Sequence, residues 1–293
     1  MLPDLVSLAL FTRVAEMRSI TRAAEASHMA LAAASRRISM LEHQYGVRLL
    51  ERTARGTELT SAGRAALYHA RQVLSQVDRL RDELQEYAKG RKGHIRLLAS
   101  ASATSQFLPD DLASFSAGAP DVAMTFEEKS SGEIAQALRE GTTDVGIIIE
   151  GTPMDGLQCR EYRTDRLVAV VPKGHPLKGR KVSFSTLLDY DFVGLDDSTA
   201  IVRLLSDQAA VAMKPLRLRV QVKAFASQCR MIESGLGVGV LPEGAARPFV
   251  GALKLRMLQL ADPWAVRKMY VCVRDYDLLP AIARRLVDHL SGT

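Results

Sequence analysis

The sequence is poor in the features that mark a secreted, membrane-spanning or metal-held protein. Only three of its 293 residues are cysteine. Cys159, Cys229 and Cys272 form no CxxC or CxxH pair, which argues against a disulfide framework and against a structural zinc site. No basic activator is evident at both Cys159 and Cys229, so buried thiols are expected there rather than oxidant sensors. The six histidines make no HxH or HExxH set, and neither a metal nor a cofactor is expected. No apolar run approaches the roughly 18 residues a membrane-spanning helix needs; the apolar runs are short, such as Val145 to Ile149. The first ten residues, MLPDLVSLAL, carry an acid and no basic segment, so they do not read as a signal peptide and point to the cytoplasm. Ser100 and Ser102 lack a GxSxG elbow, and no nucleophile–base constellation stands out, so the chain is not expected to be an enzyme.

What is there is an ordinary globular composition with unevenly placed charge. Hydrophobic residues make up 47% and charged residues 25%, which excludes a disordered or fibrous chain. The length fits two domains and a small third module. Residues 1–92 hold 15 Lys/Arg against 10 Asp/Glu, while residues 93–293 are nearly balanced. All but two of those 15 are Arg, whose planar fork of donors suits phosphate and guanine edges. A solvated helical surface would give the same count, so charge alone leaves nucleic-acid binding open.

The local pattern sharpens this. Leu5, Leu8, Phe11 and Ala15, with Val14, give helical periodicity over Pro3 to Met17. A short helix is expected over Thr21 to Ser27, capped by Ser19 or Thr21, with Ala23-Ala24 permitting close approach. A third helix runs from about Leu31 to Tyr45 and stops at Gly46. Its Ala34, Ile38, Leu41 and Tyr45 share one face, and Ser35, Arg36 and Ser39 lie on another. That is a helix-turn-helix with a Ser/Arg front able to reach base edges. Gly56 and the flanking threonines predict a hairpin wing, from which Arg52 and Arg55 could contact phosphate or the minor groove.

Thr60 caps a long helix expected over Ser61 to Lys89. Its Val73, Val77, Leu80, Leu84 and Tyr87 alternate at spacings of four and three. Such a stripe either pairs two helices or packs on its own domain. Arg/Asp/Glu on the other faces favour pairing. Gly90-Arg91-Lys92-Gly93 then reads as a hinge. Beyond it, short apolar strands alternate with helices, which predicts an α/β domain of largely parallel sheets in two lobes. Ligands of such folds sit at the carboxyl ends of strands and in the cleft. Gly235, Gly237 and Gly239 lie between a helix and a strand, the reverse of the dinucleotide-binding order, and read as a tight turn.

The chain resembles the LysR-type transcriptional regulators over nearly its whole length. In the first part the resemblance rests on Leu8, Phe11, Val14, Ser19, Ala23, Ala24, Ser35, Ile38, Leu41, Glu42, Gly46, Leu49, Arg52, Leu59, Thr60 and Gly63. In the second it rests on Leu108-Pro109, Phe115, Pro120-Asp121-Val122, Leu138, Gly141, Asp144, Val170-Val171-Pro172, His175-Pro176-Leu177 and Gly235 to Pro242. The resemblance implies a winged helix-turn-helix, a dimerising linker helix and an effector domain like periplasmic solute-binding proteins. The implied domains are 1–60, 61–92 and 93–293, the last as lobe one (93–164 and 267–293) and lobe two (165–266). It also implies binding to double-stranded DNA as a homodimer or homotetramer, under a small effector and with no membrane partner.

The family's Ser/Thr-Gln-Pro at the start of the recognition helix is replaced by Ala30-Leu31-Ala32, Arg18 stands for a usual Gly and Ser27 for a usual Leu. Ala30 cannot cap with a side-chain oxygen. The DNA-facing set is expected to be Arg18, Ser19, Thr21, Arg22, Leu31, Ala32, Ser35, Arg36, Arg37, Ser39, Arg52 and Arg55, with Ser35 and Arg36 reading bases and Arg37 on phosphate or an acidic neighbour. The effector is expected to be a small organic anion such as a carboxylate, held by Ser100, Ser102, Thr104, Ile149, Ser198, Thr199, Phe225 and Ser227. Plain helix capping by these hydroxyls is the competing account. A solute-binding protein or an enzymatic α/β domain is the alternative function.

Overall fold

A computed structural model describes residues 4–53, 56–88 and 93–292. Pro3, Arg55 and residues 90–92 of the expected hinge lie outside the described residues, as do the side chains of Arg52 and Tyr87. The chain divides into two compact units, Met1–Gly90 with Glu140–Thr142, and Arg91–Arg139 with Thr143–Thr293.

The first unit opens with helices α1 (Leu5–Met17), α2 (Ile20–Ala26) and α3 (Leu31–Tyr45). The wing is β1 (Leu50–Thr53) paired antiparallel with β2 (Gly56–Leu59), and the long helix is α4 (Ser61–Ala88). Asp4 caps α1 by accepting from the Ser7 amide at 2.9 Å, and Ser19 caps α2. Leu8, Phe11 and Val14 are buried as the periodicity predicts, but Leu5 and Tyr45 are exposed and Leu10 fills the core instead. Ala23 and Ala24 are buried where the helices meet.

Three local contacts fix the wing. One Glu42 carboxylate oxygen accepts from the amides of Leu49 (2.7 Å) and Leu50 (3.0 Å), tying α3 to β1. At Gly63 a Cβ would lie 2.0 Å from the Leu49 carbonyl, so no larger residue fits at the start of α4. At Gly56, where φ is 122°, a Cβ would lie 2.6 Å from the Arg18 carbonyl. That carbonyl accepts from the Thr57 amide at 3.0 Å, so the wing docks on the α1–α2 turn.

The second unit begins with β3 (His94–Ala99), α5 (Ala101–Thr104), α6 (Leu108–Ala117), β4 (Ala123–Glu128), α7 (Ser131–Glu140) and β5 (Val145–Ile149). A fifteen-residue strand, β6 (Gln158–Pro172), leads onward. Then come β7 (Lys181–Val182), α8 (Phe184–Leu187), β8 (Phe192–Leu195), α9 (Ala200–Val211), β9 (Leu218–Val222) and α10 (Phe225–Glu233). The chain returns through β10 (Gly239–Pro242), α11 (Glu243–Ala252), β11 (Leu255–Leu260), β12 (Val266–Val273) and α12 (Ala281–Ser291). Gly235 and Gly237 make the tight helix–strand turn in left-handed conformations. A Cβ at Gly237 would meet the Asp191 carbonyl at 2.4 Å.

The expectation of largely parallel sheets is corrected. The strands run β4-β3-β5-β12-β6-β11-β7, with β10 also on β6. β3 pairs parallel with β4 and β5, and β8 with β9. β12 is antiparallel to β5 and β6, and β6 is antiparallel to β10 and β11. The reason is topological: a chain that leaves one lobe along β6 and returns along its neighbour β12 must run antiparallel. One core gathers Ile95, Ile147, Val271 and Leu286; another gathers Leu167 to Val171, Phe192, Ile232 and Leu241. The absence of a disulfide is corrected too. Cys159 and Cys272 face each other in register on β6 and β12 and are disulfide-bonded, with Cα atoms 4.1 Å apart. Their separation of 113 residues hid the pairing from spacing rules.

Where β6 and β12 cross between the cores, Arg267 pairs with Asp165, both almost fully buried. The Arg267 Nε donates to Asp165 at 3.0 Å and a terminal nitrogen donates to the other carboxylate oxygen. Gln106 donates to Asp165 at 3.3 Å, and its side-chain oxygen accepts from the Gly244 amide at 3.0 Å. Removing one partner of such a pair strands the other charge away from water. Arg267→Leu is expected to lower the unfolding free energy by about 3–5 kcal/mol, measured by urea titration. A loss below about 1 kcal/mol would contradict the role given to the pair.

Candidate functional site

The DNA-facing candidates divide by burial. Ala34, Ile38 and Leu41 point α3 into the core, which leaves Leu31, Ala32, Arg36 and Ser39 exposed and Ser35 half-buried. Ala30 starts the helix with no side-chain cap, as its methyl group requires. Arg37 turns away from that front. It bonds the Asp4 carboxylate at 3.2 Å and the Ser7 hydroxyl at 3.3 Å, the acidic neighbour of the two options. The Ser7 hydroxyl first, and Arg37 less strongly, hold the Asp4 carboxyl below its ordinary pKa. Arg18 is exposed in a left-handed turn with φ 50°. The Ser19 hydroxyl accepts from the Arg22 amide, Thr21 is exposed, and the Arg22 guanidinium donates to the Met17 carbonyl. Arg13, not singled out from sequence, bonds the Ser27 hydroxyl at 2.8 Å.

On α4 two faces separate. Ala66, Leu67, Ala70 and Leu74 pack into the first unit's core. Val73, Leu80 and Leu84 stay 45%, 59% and 59% exposed, and Val77 is half-buried.

In the second unit a cavity of about 380 Å³ lies where strand ends meet helix starts. Ser100, Ser102, Ile149, Ser198, Thr199 and Phe225 line it. Thr104 does not; its hydroxyl donates to the Ser100 carbonyl at 3.1 Å within α5. Ser227 lies instead at a hollow beside α11 with Arg230, Met231 and Phe249. Glu128, Lys129, Ser130, Ser131, Glu133, Asp196 and Lys223 line the cavity without having been singled out. Their signal was available: Ser130-Ser131 follow β4, and Lys223 follows β9, as Ser100 follows β3.

The lining is chemically mixed. The Ser100 hydroxyl is buried and has no hydrogen-bond partner. It makes no cap for α5, and α10 starts on Ala224 with no side-chain cap either. Thr199 caps α9 through the Val202 amide, so capping does hold there. The Ser102 hydroxyl accepts from Arg267 at 3.3 Å, which joins the cavity to the buried ion pair. Lys129 is drawn above its ordinary pKa by bonding Glu127 at 2.7 Å. The Ser130 hydroxyl and amide hold Glu133 low, and the Ser198 amide holds Asp196 low, so both carboxyls are ionised at neutral pH. Among the described residues no cluster of His, Cys, Asp and Glu suits a metal ion.

Residues 88–293 match the family model for the LysR substrate binding domain, and residues 5–64 match that for the bacterial regulatory helix-turn-helix protein, lysR family. The chain belongs to the LysR family of transcriptional regulators. This LysR-type regulator is 30% identical to the HTH-type transcriptional regulator YnfL of Escherichia coli (strain K12), over 98% of this chain and 97% of that one. Full-length CbnR complexed with its target DNA shares the fold at TM-score 0.66, with 21% identity over 99% of each chain. The effector binding domain of QuiR in complex with shikimate covers 68% of this chain and 96% of its own, at TM-score 0.62 and 16% identity. The relatives are transcriptional regulators rather than enzymes, and this chain is a DNA-binding regulator with an effector-binding domain.

The two cavity serines should respond differently to truncation. Ser100→Ala removes a hydroxyl with no partner and is expected to change stability by less than about 0.5 kcal/mol. Ser102→Ala leaves a buried Arg267 donor unsatisfied and should cost about 1–3 kcal/mol. Urea midpoints of the two variants check this, and equal values would contradict it.

Proposed function

We propose that the LysR-type regulator reads a specific DNA sequence through the exposed front of α3 and changes its DNA complex when a small organic anion occupies the 380 Å³ cavity. The observation that carries the DNA half is the division of α3 into a buried Ala34–Ile38–Leu41 back and an exposed front. Ser35, Arg36 and Ser39 face base edges, and Leu31 and Ala32 offer apolar contact to a thymine methyl. Arg18, Ser19, Thr21 and Arg22, with Arg52 and Arg55 of the wing, hold phosphates and flanking grooves. Arg37 positions α3 through Asp4. The chain in this reading is organised as 1–60, 61–92 and 93–293, with lobes 93–164/267–293 and 165–266, and meets DNA in the cytoplasm.

The exposed Val73, Leu80 and Leu84, with half-buried Val77 between them, support a homodimer, and Tyr87 continues the spacing in the sequence. Assembly of two dimers into a tetramer extends that reading. For the effector, the uncapped starts of α5 and α10, the partnerless Ser100 hydroxyl and the ammonium groups of Lys129 and Lys223 favour a carboxylate. The carboxylates of Glu128, Glu133 and Asp196 on the same wall favour an effector that also bears hydroxyl or other donor groups.

Mobility-shift titrations test the DNA half. Affinity is expected to fall steeply with salt, because phosphate contacts release counterions. Arg36→Ala should lose about 1–3 kcal/mol of preference for the specific site over random DNA; an unchanged preference would remove Arg36 from the reading set. For the effector half, thermal unfolding is followed against a panel of small hydroxy-carboxylates and their amides. A carboxylate that raises the midpoint should do so less in Lys223→Ala, while equal stabilisation by its amide would contradict an anionic effector.

A further inference from the structure

We infer that Cys159 and Cys272 form a reversible thiol–disulfide site that takes a low-molecular-weight disulfide as its oxidant. Three features of the pair support this. First, strand pairing, and not the bond, brings the sulfurs together. β6 and β12 pair from Val266–Arg166 to Val273–Gln158, and Cys159 faces Cys272 within that ladder. The longer part of the ladder, toward Val266, and the pairing of Cys272 with Gly146 on β5 do not depend on the bond, so both redox states fit one backbone. Second, the sulfurs differ in access. Cys159 is half-buried, whereas Cys272 is fully buried with Ile134, Leu138 and Ile148. Cys159 is therefore the sulfur that an outside reagent meets first, and Cys272 is the resolving partner. Third, a DNA-binding regulator works where thiols are kept reduced, and disulfides formed there are mostly transient.

The chemistry balances as two exchanges. The Cys159 thiolate attacks one sulfur of the small disulfide and forms a mixed disulfide, releasing one small thiolate. The Cys272 thiolate then attacks the Cys159 sulfur and forms the Cys159–Cys272 bond, releasing the second. The protons lost by the two cysteines go to the two small thiolates. The protein gives up two electrons and the reagent takes two. Excess small thiol reverses both steps.

Closure has a structural consequence. The bond joins positions 113 apart in the sequence, and the chain between them includes the whole core from Leu167 to Ala265. It ties β6, the strand that enters that core, to β12, the strand that leaves it. The oxidised unfolded chain has fewer conformations, so the folded form gains stability. Cys229 provides an internal reference: it is buried, it is the free cysteine among the described residues, and burial pushes its thiol up to about 11.

The test equilibrates the full-length protein in a series of glutathione and glutathione disulfide ratios. Samples are acid-quenched and alkylated under denaturing conditions, and labels are counted by intact mass. The expected result is three labels at the reducing end and one at the oxidising end, joined by a single transition. Cys272→Ser should instead accumulate a glutathione adduct on Cys159. Thermal unfolding of the oxidised wild-type protein should come several degrees above that of the reduced protein. Three labels at every ratio would overturn the site, because no bond forms. One label at every ratio would overturn its reversibility. Equal thermal midpoints for the two states would overturn the tie across the Leu167–Ala265 core.

Discussion

The pairing of β6 with β12 is the constraint on which the effector-binding unit depends. These two strands carry the chain out of one core and back from the other, side by side and antiparallel. At the crossing they bury Arg267 against Asp165, a charge pair that water cannot replace. Taking both ions from water is costly, and the attraction offsets that cost only when further hydrogen bonds complete the geometry. Gln106 supplies one to Asp165 and then reaches the Gly244 amide. Ser102 accepts one from Arg267 and also lines the cavity. The crossing and the cavity wall are thus parts of one hydrogen-bonded set.

The DNA-binding unit rests on a different kind of constraint, close backbone approach. Gly63 and Gly56 are needed because carbonyls of Leu49 and Arg18 occupy the space a side chain would fill. Glu42 adds two amide bonds to the same corner. With the wing fixed from three directions, α3 keeps its orientation despite the missing cap at Ala30. A side-chain cap is worth about 1 kcal/mol, which packing of Ala34, Ile38 and Leu41 in the core can offset. The Asp4–Arg37 bond adds little stability because both groups are partly exposed. Its effect is to turn Arg37 away from the face that carries Arg36.

Much of this was legible in the sequence where a pattern is local. The helix-turn-helix follows from the Leu8–Phe11–Val14 and Ala34–Ile38–Leu41 spacings, and Thr60 caps α4 as its position predicts. Six of the eight expected effector residues line one cavity, because the hydroxyls of Ser100, Ser102, Ser198 and Thr199 lie where strand ends meet helix starts, Ile149 ends β5 and Phe225 begins α10. What escaped is non-local or irregular. The first half of β6 does not stand out in the sequence because Arg160, Arg163 and Asp165 interrupt its apolar run, nor does α11, because Pro248 sits inside it. The disulfide, the Arg267–Asp165 pair and the antiparallel sheet centre all join residues about a hundred positions apart, which no window of spacing can detect. Thr104 was misplaced because α5 is a single turn and carries its hydroxyl back onto the Ser100 carbonyl.

In the proposed function, a groove-reading dimer is coupled to a ligand cavity within one LysR-type chain. The measurement that tests it most directly is footprinting of the full-length protein on the DNA upstream of its own gene, at several salt concentrations. Protected half-sites about one helical turn apart, or a multiple of that, are expected, with protection weakening as salt rises. An absence of specific protection, with the residues 1–92 fragment equally silent, would contradict it.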